Sequence, residues 1–278
     1  MTLSGRAKLA GVIGWPVEHS RSPRLHGYWL QHHQIDGAYV PLPVRSEAFE
    51  RALRSLADLG FRGVNVTVPY KEAALAACDE VEESGRRLGA VNTIVMGNGQ
   101  LRGFNSDGFG FIENLRRGGP GWQAKEAPAV VIGAGGAARA VVAALIDAEV
   151  PEIRVVNRTR PRADAVAKDL GGPVRVLDWP QRGRALSEAG LLVNATSLGM
   201  TGQPPLELDL ADLPMTAMVN DIVYAPLETP LLARARARGN LVVDGLGMLL
   251  HQARPGFAAW FGIEPEVTAE LRRFVLAD

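Results

Sequence analysis

The segment Val130-Val-Ile-Gly133-Ala-Gly135-Gly136-Ala-Ala138-Arg139 constrains the fold more than any other part of this chain. Pro128 to Ile132 is a short apolar run bounded by proline and glycine, which reads as a buried strand. Ala137 to Ala148 is an alanine-rich helical stretch behind it. The turn between them has G-x-G-x-x-A spacing. Gly133 permits the tight turn, Gly135 lets the backbone approach a pyrophosphate, and Ala138 is small enough for close helix–strand packing. A diphosphate over the helix N-terminus would meet the backbone of Gly133, Ala134, Gly135, Gly136 and Ala137. An ordinary strand-to-helix turn shares this pattern, so the glycines alone do not fix a function.

The next strand, Ile153-Arg-Val-Val-Asn157, ends roughly 20 residues after the glycines, where NAD enzymes place an acid for the ribose 2′-hydroxyl. No acid stands there. Asn157-Arg158-Thr159 follows instead, and Arg158, Arg160 and Arg162 cluster just past the strand. A guanidinium is a planar charged fork suited to a 2′-phosphate. A solvated basic loop is the plainer alternative, but the cluster falls where the ribose should lie. Turn and arginines together point to NADP and hydride transfer, with Arg158 and Arg162 on the phosphate.

Of the 278 residues, 22% are charged and 47% hydrophobic, a balance typical of globular proteins and a length sufficient for two domains. Zero net charge, 6% aromatics and only local basic clusters argue for a small-molecule substrate over nucleic acid or a membrane surface. Cys78 is the only cysteine, so no intrachain disulfide forms, and its apolar setting suggests a small buried hydrophobe. The absence of a targeting or membrane-length segment fits the cytoplasm. The histidines lack metal-ligand spacing, so no metal is expected. A monomer or a homodimer is equally compatible with the sequence.

Something of domain size precedes the glycine turn. Ala10 to Gly14 and Phe61 to Val68 read as strands, and Ser46 to Leu59 as a helix with Phe49, Ala52, Leu53 and Leu56 on one face and Gly60 as its stop. Asn92 to Met96 and Gln100 to Asn105 flank Gly97-Asn98-Gly99, a hairpin signal that makes the first sheet mixed. Ser106 to Arg117 reads as a connecting helix. Strands then follow at 128–132, 152–157, 174–177, 191–194, 218–222 and 240–243, as in a doubly wound sheet. Met248 to Asp278 is helical. The expected architecture is therefore two-domain α/β: a mixed-sheet substrate domain over 1–107, completed by helices 248–278, and a Rossmann-like NADP domain over 108–247.

In Asn65-Val-Thr67-Val-Pro69-Tyr-Lys71, side chains alternate, so Val64, Val66 and Val68 point one way and Asn65 and Thr67 the other. Lys71 falls in the first turn of the following helix, where the macrodipole disfavours a cation and favours loss of its proton. A surface lysine is the plain alternative. Asp107 starts a helix as a natural N-cap, and it also suits a partner that holds the charge state of Lys71 for proton transfer at a carbonyl. Ser22 reads as the cap of a helix with Pro23 at its first position. Ser20 and Ser22 with free N–H groups make a carboxylate site, or simply a cap.

In this order the segments resemble shikimate dehydrogenases over nearly the whole chain. The resemblance rests on Ser20/Ser22, Asn65 through Lys71, Ala90-Val-Asn92-Thr, Asn105-Ser-Asp107-Gly, the glycine turn, Asn157-Arg158-Thr159, Asn194-Ala-Thr196-Ser, Asp221-Ile-Val-Tyr224-Ala-Pro and Gly245-Leu-Gly247-Met248 through Gln252. It implies reversible reduction of 3-dehydroshikimate by NADPH, with Lys71 and Asp107 as the catalytic pair. Ser20 and Ser22 would hold the substrate carboxylate, and Asn65, Thr67, Asn92, Tyr224 and Gln252 would surround its ring. Thr196, Gly245 and Met248 would lie near the nicotinamide. It also implies that the last helices return to the first domain, leaving the cofactor between two lobes. The alternatives are a quinate/shikimate or aminoshikimate dehydrogenase, or a silent NADP-binding module.

Overall fold

The computed structural model describes residues 2–277, which divide into a first unit, up to Ser106 and again from Gln252, and a second, Asp107–His251. The first unit runs β1 (Lys8–Gly14), α1 (Ser22–His32), β2 (Gly37–Pro43), α2 (Phe49–Asp58), β3 (Phe61–Val66), α3 (Lys71–Ala77), β4 (Glu80–Val81), α4 (Glu83–Leu88), β5 (Thr93–Gly97) and β6 (Gln100–Phe104). Its six-stranded sheet has the order β2-β1-β3-β5-β6-β4. It is mixed, because β5 is antiparallel to both β3 and β6. The hairpin that reverses the chain has Asn98 at φ 51° and Gly99 at φ 74°, the two positive values a tight turn between twisted strands requires. On one face Ile13, Val64 and Val66 meet Phe49, Leu53 and Leu56 of α2.

In the second unit α5 (Asp107–Gly118), β7 (Ala129–Ile132), α6 (Gly136–Asp147), β8 (Ile153–Val156), α7 (Arg160–Leu170), β9 (Val174–Leu177), β10 (Leu191–Asn194), β11 (Met218–Asp221), α8 (Pro230–Arg238) and β12 (Leu241–Val243) follow. The sheet order is β12-β11-β10-β7-β8-β9, all parallel, the doubly wound arrangement expected from the strand spacing. Both faces are covered, so β7, β10 and β11 are buried at every position. Alternation divides them cleanly. Ala129 and Val131 join Ala138, Val141, Val142 and Leu145 of α6, whereas Val130 and Ile132 join Leu231, Leu232 and Ala235 of α8.

Two helices end the chain, α9 (Leu246–Phe261), which crosses the unit boundary, and α10 (Ala269–Leu276). Their residues from Gln252 onward belong to the first unit. Trp260 Nε1 donates to Ile94 O at 3.0 Å, Phe257 packs 5.2 Å from the Trp29 ring, and Arg24 Nε donates to Phe274 O at 2.6 Å.

Three local expectations are corrected. Val68 is 69% exposed and does not share the face of Val64 and Val66, because β3 ends at Val66 and a turn closed by Tyr70 N–H to Thr67 O (3.0 Å) re-aims the chain. Ser22 is not a cap: Arg21 occupies that position with helical angles, its carbonyl already accepts from Leu25 N–H at 3.0 Å, and Ser22 is the first helical residue. Asp107 likewise is the first residue of α5 rather than the cap before it.

Candidate functional site

The glycine turn behaves as its spacing requires. Gly133 has φ 121°, and a Cβ there would stand 2.8 Å from Ala195 O and 3.0 Å from Thr196 Cγ2, so only glycine fits. A Cβ at Gly135 or Gly136 would meet no atom within 4 Å. The exposed side of the turn is thus open, while Ala138 is fully buried beneath it. Gly135 caps α6 in extended conformation, and Arg139 N–H is bonded back to Gly135 O at 2.9 Å. The N–H groups of the first turn before Arg139 are of the kind a helix leaves for an anion. A dinucleotide diphosphate fits this cradle in shape and polarity.

Past β8, Asn157 Nδ2 donates to Thr159 O at 2.8 Å and shapes the loop. The arginines beyond it differ. Arg160 is held by Asp178 at 2.8 Å and by Asp164 at 3.5 Å, whereas Arg158 and Arg162 are exposed and form no ion pair among the described residues. Two exposed guanidinium groups just past β8 are therefore left without an acidic partner among the described residues.

The loops after β10 and β11 carry Thr196 and Tyr224. The Thr196 hydroxyl donates to Asn194 Oδ1 at 2.7 Å and accepts from Leu198 N–H at 3.0 Å. It is thereby committed within its own loop, while the Thr196 methyl stands against Gly133 of the glycine turn. Tyr224 is half-buried and directly follows Val223, whose N–H donates to Asp221 Oδ1 at 3.0 Å and anchors the loop. Gly245 lies against that same loop, since a Cβ on it would stand 2.1 Å from Ile222 O. Met248 is buried in the core with Val243 and Met218.

In the first unit a buried polar network gathers several of the substrate candidates. Asn65 Nδ2 donates to Thr93 Oγ1 at 3.1 Å and Asn92 O at 3.3 Å, and Asn92 Nδ2 donates to Gln252 Oε1 at 3.3 Å. Ser106 N–H donates to Asn92 Oδ1 at 3.0 Å, so the residue preceding Asp107 is tied to Asn92. Lys71 is half-buried at the first position of α3, and its carbonyl accepts from Val91 N–H at 2.9 Å. Thr67 is half-buried two residues after Asn65, and Ser20 Oγ accepts from Ser22 N–H at 3.3 Å.

Sequence reasoning passed over Tyr39. Its buried hydroxyl donates to Asn65 Oδ1 at 2.7 Å, and its ring stacks on His26 at 4.0 Å. Burial pushes the Tyr39 phenol up, and a hydrogen bond with Ser22 opposes that shift. The residue thus touches two of the substrate candidates, and no local pattern in β2 announces it. With both amide protons and one carbonyl lone pair of Asn65 used internally, little capacity is left on it for a ligand.

Among the described residues no group of acidic, histidine and cysteine side chains could hold a metal, and no helix is long and apolar enough to cross a membrane. Cys78 is half-buried, and burial pushes its thiol up to about 11, the behaviour of an unreactive packing residue.

The shikimate dehydrogenase substrate binding domain family matches residues 12–94, and the shikimate / quinate 5-dehydrogenase family matches residues 119–200. A shikimate dehydrogenase (NADP(+)) of Paramagnetospirillum magneticum is 62% identical over 99% of this chain and 100% of its own. This chain belongs to the shikimate dehydrogenase family. The namesake enzyme of Rhodospirillum rubrum is also 62% identical, over 99% of both chains.

Among solved structures, shikimate dehydrogenase from Thermus thermophilus in complex with NADP(H) and shikimate superposes with a TM-score of 0.86 at 39% identity, covering 96% of this chain and 98% of that one. Quinate dehydrogenase from Corynebacterium glutamicum in complex with NAD gives 0.91 at 34% identity, covering 97% and 99%. The family fold is thus shared by enzymes named for different substrates and crystallised with different cofactors. Side chains, not topology, must separate them.

Proposed function

We propose that this shikimate dehydrogenase family member interconverts 3-dehydroshikimate and shikimate with NADP(H), and that Lys71 and Asp107 are its catalytic pair. The observation that carries the reading is the open Gly135–Gly136 cradle followed by two unpaired arginines, Arg158 and Arg162, in a chain 62% identical to NADP(+)-dependent relatives. The cradle takes the diphosphate, with the backbone of Gly133 to Ala137 around it, and Asn157 and Thr159 shape the loop that presents Arg158 and Arg162 to the 2′-phosphate. Thr196 stands beside the nicotinamide, and the buried Gly245 and Met248 back that part of the site from within the core. When bound, NADPH supplies the hydride that reduces the substrate's carbonyl carbon.

The chain's own part is to orient the substrate and to move one proton. Ser20 and Ser22 bind the carboxylate through their hydroxyls. Thr67, Asn92, Tyr224 and Gln252 bind the ring hydroxyls, and Asn65 acts mainly by holding Asn92 and Thr93. In reduction, the Lys71 ammonium gives its proton to the carbonyl oxygen as that oxygen gains charge, and Asp107 accepts a hydrogen bond that holds the lysine in place. In oxidation the neutral amine takes the hydroxyl proton back. The same reading puts the enzyme in the cytoplasm as a monomer or homodimer.

The test is nicotinamide absorbance with purified protein, crossing shikimate and quinate against NADP and NAD, repeated with Lys71→Ala. Turnover is expected with shikimate and NADP, and loss of most of it in the variant with ligand binding kept. Preference for quinate or NAD would overturn the substrate or cofactor assignment. Near-normal turnover by the variant would remove Lys71 from the proton transfer.

A further inference from the structure

Asp221, the last residue of β11, is fully buried, and every partner of its carboxylate is neutral. Oδ1 accepts from Asn194 Nδ2 and from Val223 N–H, both at 3.0 Å, and Oδ2 accepts from Thr229 Oγ1 at 2.7 Å. No cationic side chain pairs with it among the described residues. Burial pushes its pKa up while the three hydrogen bonds oppose the shift. A lone buried carboxylate is expensive, and a fold that needed only packing would place an apolar side chain there.

The three donors come from three different segments, and each extends further. Asn194 ends β10, and its Oδ1 accepts from Thr196 N–H at 3.1 Å and Thr196 Oγ1 at 2.7 Å. Thr196 in turn fills the space opposite Gly133. Val223 directly precedes Tyr224, and its carbonyl accepts from Gly245 N–H at 3.3 Å. Thr229 caps α8, accepting from Leu232 N–H at 3.4 Å. Only a carboxylate can accept on both oxygens from three donors while presenting no donor of its own. These bonds lie at the C-terminal ends of adjacent parallel strands, where doubly wound sheets bind their ligands.

We propose that Asp221 is a positioning residue: its carboxylate sets the register between the loop carrying Thr196, seated against the glycine turn, and the loop carrying Tyr224. Cofactor-side and substrate-side surfaces of the second unit are thereby fixed by one side chain that touches neither ligand. The kinetic consequence rests on the dehydrogenase reading above; the structural consequence does not.

The experiment compares Asp221→Ala and Asp221→Asn with the wild type. Asparagine keeps an acceptor for Asn194 and Val223, and Thr229 can turn to accept from its amide, so turnover is expected to stay near wild type. Alanine releases both loops. Its kcat should fall about tenfold or more, within the loss that a misplacement of about 1 Å produces. The primary isotope effect with 4-deuterated NADPH should rise as hydride transfer becomes slower than release, while the preference for NADPH over NADH is kept. Amide hydrogen exchange, measured without ligands, should quicken together in 195–198 and 222–225. Should Asp221→Ala not fold, Asp221→Ser, too short to hold both loops, carries the same expectations. Unchanged kcat and isotope effect, or exchange that quickens in one loop alone, overturns the proposal. A wild type that does not oxidise shikimate refutes the dehydrogenase reading, and hydrogen exchange still decides the role of Asp221.

Discussion

Arg160 Nη1 donates to Asp178 Oδ1 at 2.8 Å, and this bond divides the work of the three arginines that follow β8. Asp178 and Asp164 hold Arg160, which leaves Arg158 and Arg162 available to a phosphate. Arg158→Ala should raise KM for NADPH about ten- to a hundredfold, the equivalent of about 1.5–3 kcal/mol for a hydrogen bond to a charged group. KM for NADH should not move. Arg160→Ala should leave both values near wild type, because it removes an exposed ion pair. Steady-state kinetics with the two reduced cofactors checks the set, and equal losses with both after Arg158→Ala would deny it a phosphate contact.

Gly133 and Gly135 look equivalent in sequence and are not equivalent in space. Gly133→Ala puts a methyl 2.8 Å from Ala195 O at φ 121°, costing about 1–3 kcal/mol in backbone strain before any clash is relieved. Its melting temperature should drop by several degrees. Gly135→Ala adds a methyl to open space on an extended backbone, so the fold should be as stable as wild type. That methyl would intrude on the proposed diphosphate site, so the variant should lose NADP binding. Thermal melts together with NADP titrations separate the two, and tight NADP binding by Gly135→Ala would remove the diphosphate from this turn.

Tyr39→Phe deletes the donor that Asn65 Oδ1 receives at 2.7 Å. A buried acceptor left unpaired costs about 1–3 kcal/mol, and the amide should relieve that cost by reorienting away from Asn92 and Thr93. KM for shikimate should rise while KM for NADP stays fixed, because the network lies in the first unit. If both constants remain at wild-type values, Tyr39 serves packing alone.

How far the sequence could carry these inferences depended on the range of the interactions. The central strands of the second sheet were readable because they are nearly continuous apolar runs, as at Ala129–Ile132 and Leu191–Asn194, and such runs arise when both faces are buried; β8 and β9, which each carry an arginine, were read from their valines and flanking turns. The hairpin at Asn98-Gly99 was readable because its angles are a local demand. Ser22 failed as a cap because the preceding chain, closed by Ser20 N–H to Val17 O at 3.0 Å, already brings Arg21 to helical angles. The commitments of Arg160 to Asp178 and of Asn65 to Tyr39 join residues 18 and 26 positions apart, and only the folded sheet brings these partners together. Asp221 belonged to a recognised motif, yet its role as acceptor for three segments depends on strand order.

His26 gives the chain a stability that depends on pH. It is fully buried against Tyr39, Trp29, Phe257 and Trp260, and neither ring nitrogen has a hydrogen-bond partner of ordinary geometry among the described residues. Burial pushes the imidazole down to about 3, a shift that nearby Asn65 opposes only weakly. Between about 3 and the ordinary 6.5 the unfolded chain therefore binds a proton that the folded chain refuses. Stability from this group is complete above that window and is lost as pH falls through it, by about 1.4 kcal/mol for each pH unit. Carboxylates titrate in the lower part of the same range, so the comparison must be with His26→Phe, which keeps an aromatic ring and cannot protonate. Urea unfolding at pH 7.5, 6.0 and 5.0 should show the wild type losing stability faster than the variant below about pH 6.5. Parallel losses in the two proteins would mean that His26 takes up its proton without leaving the fold.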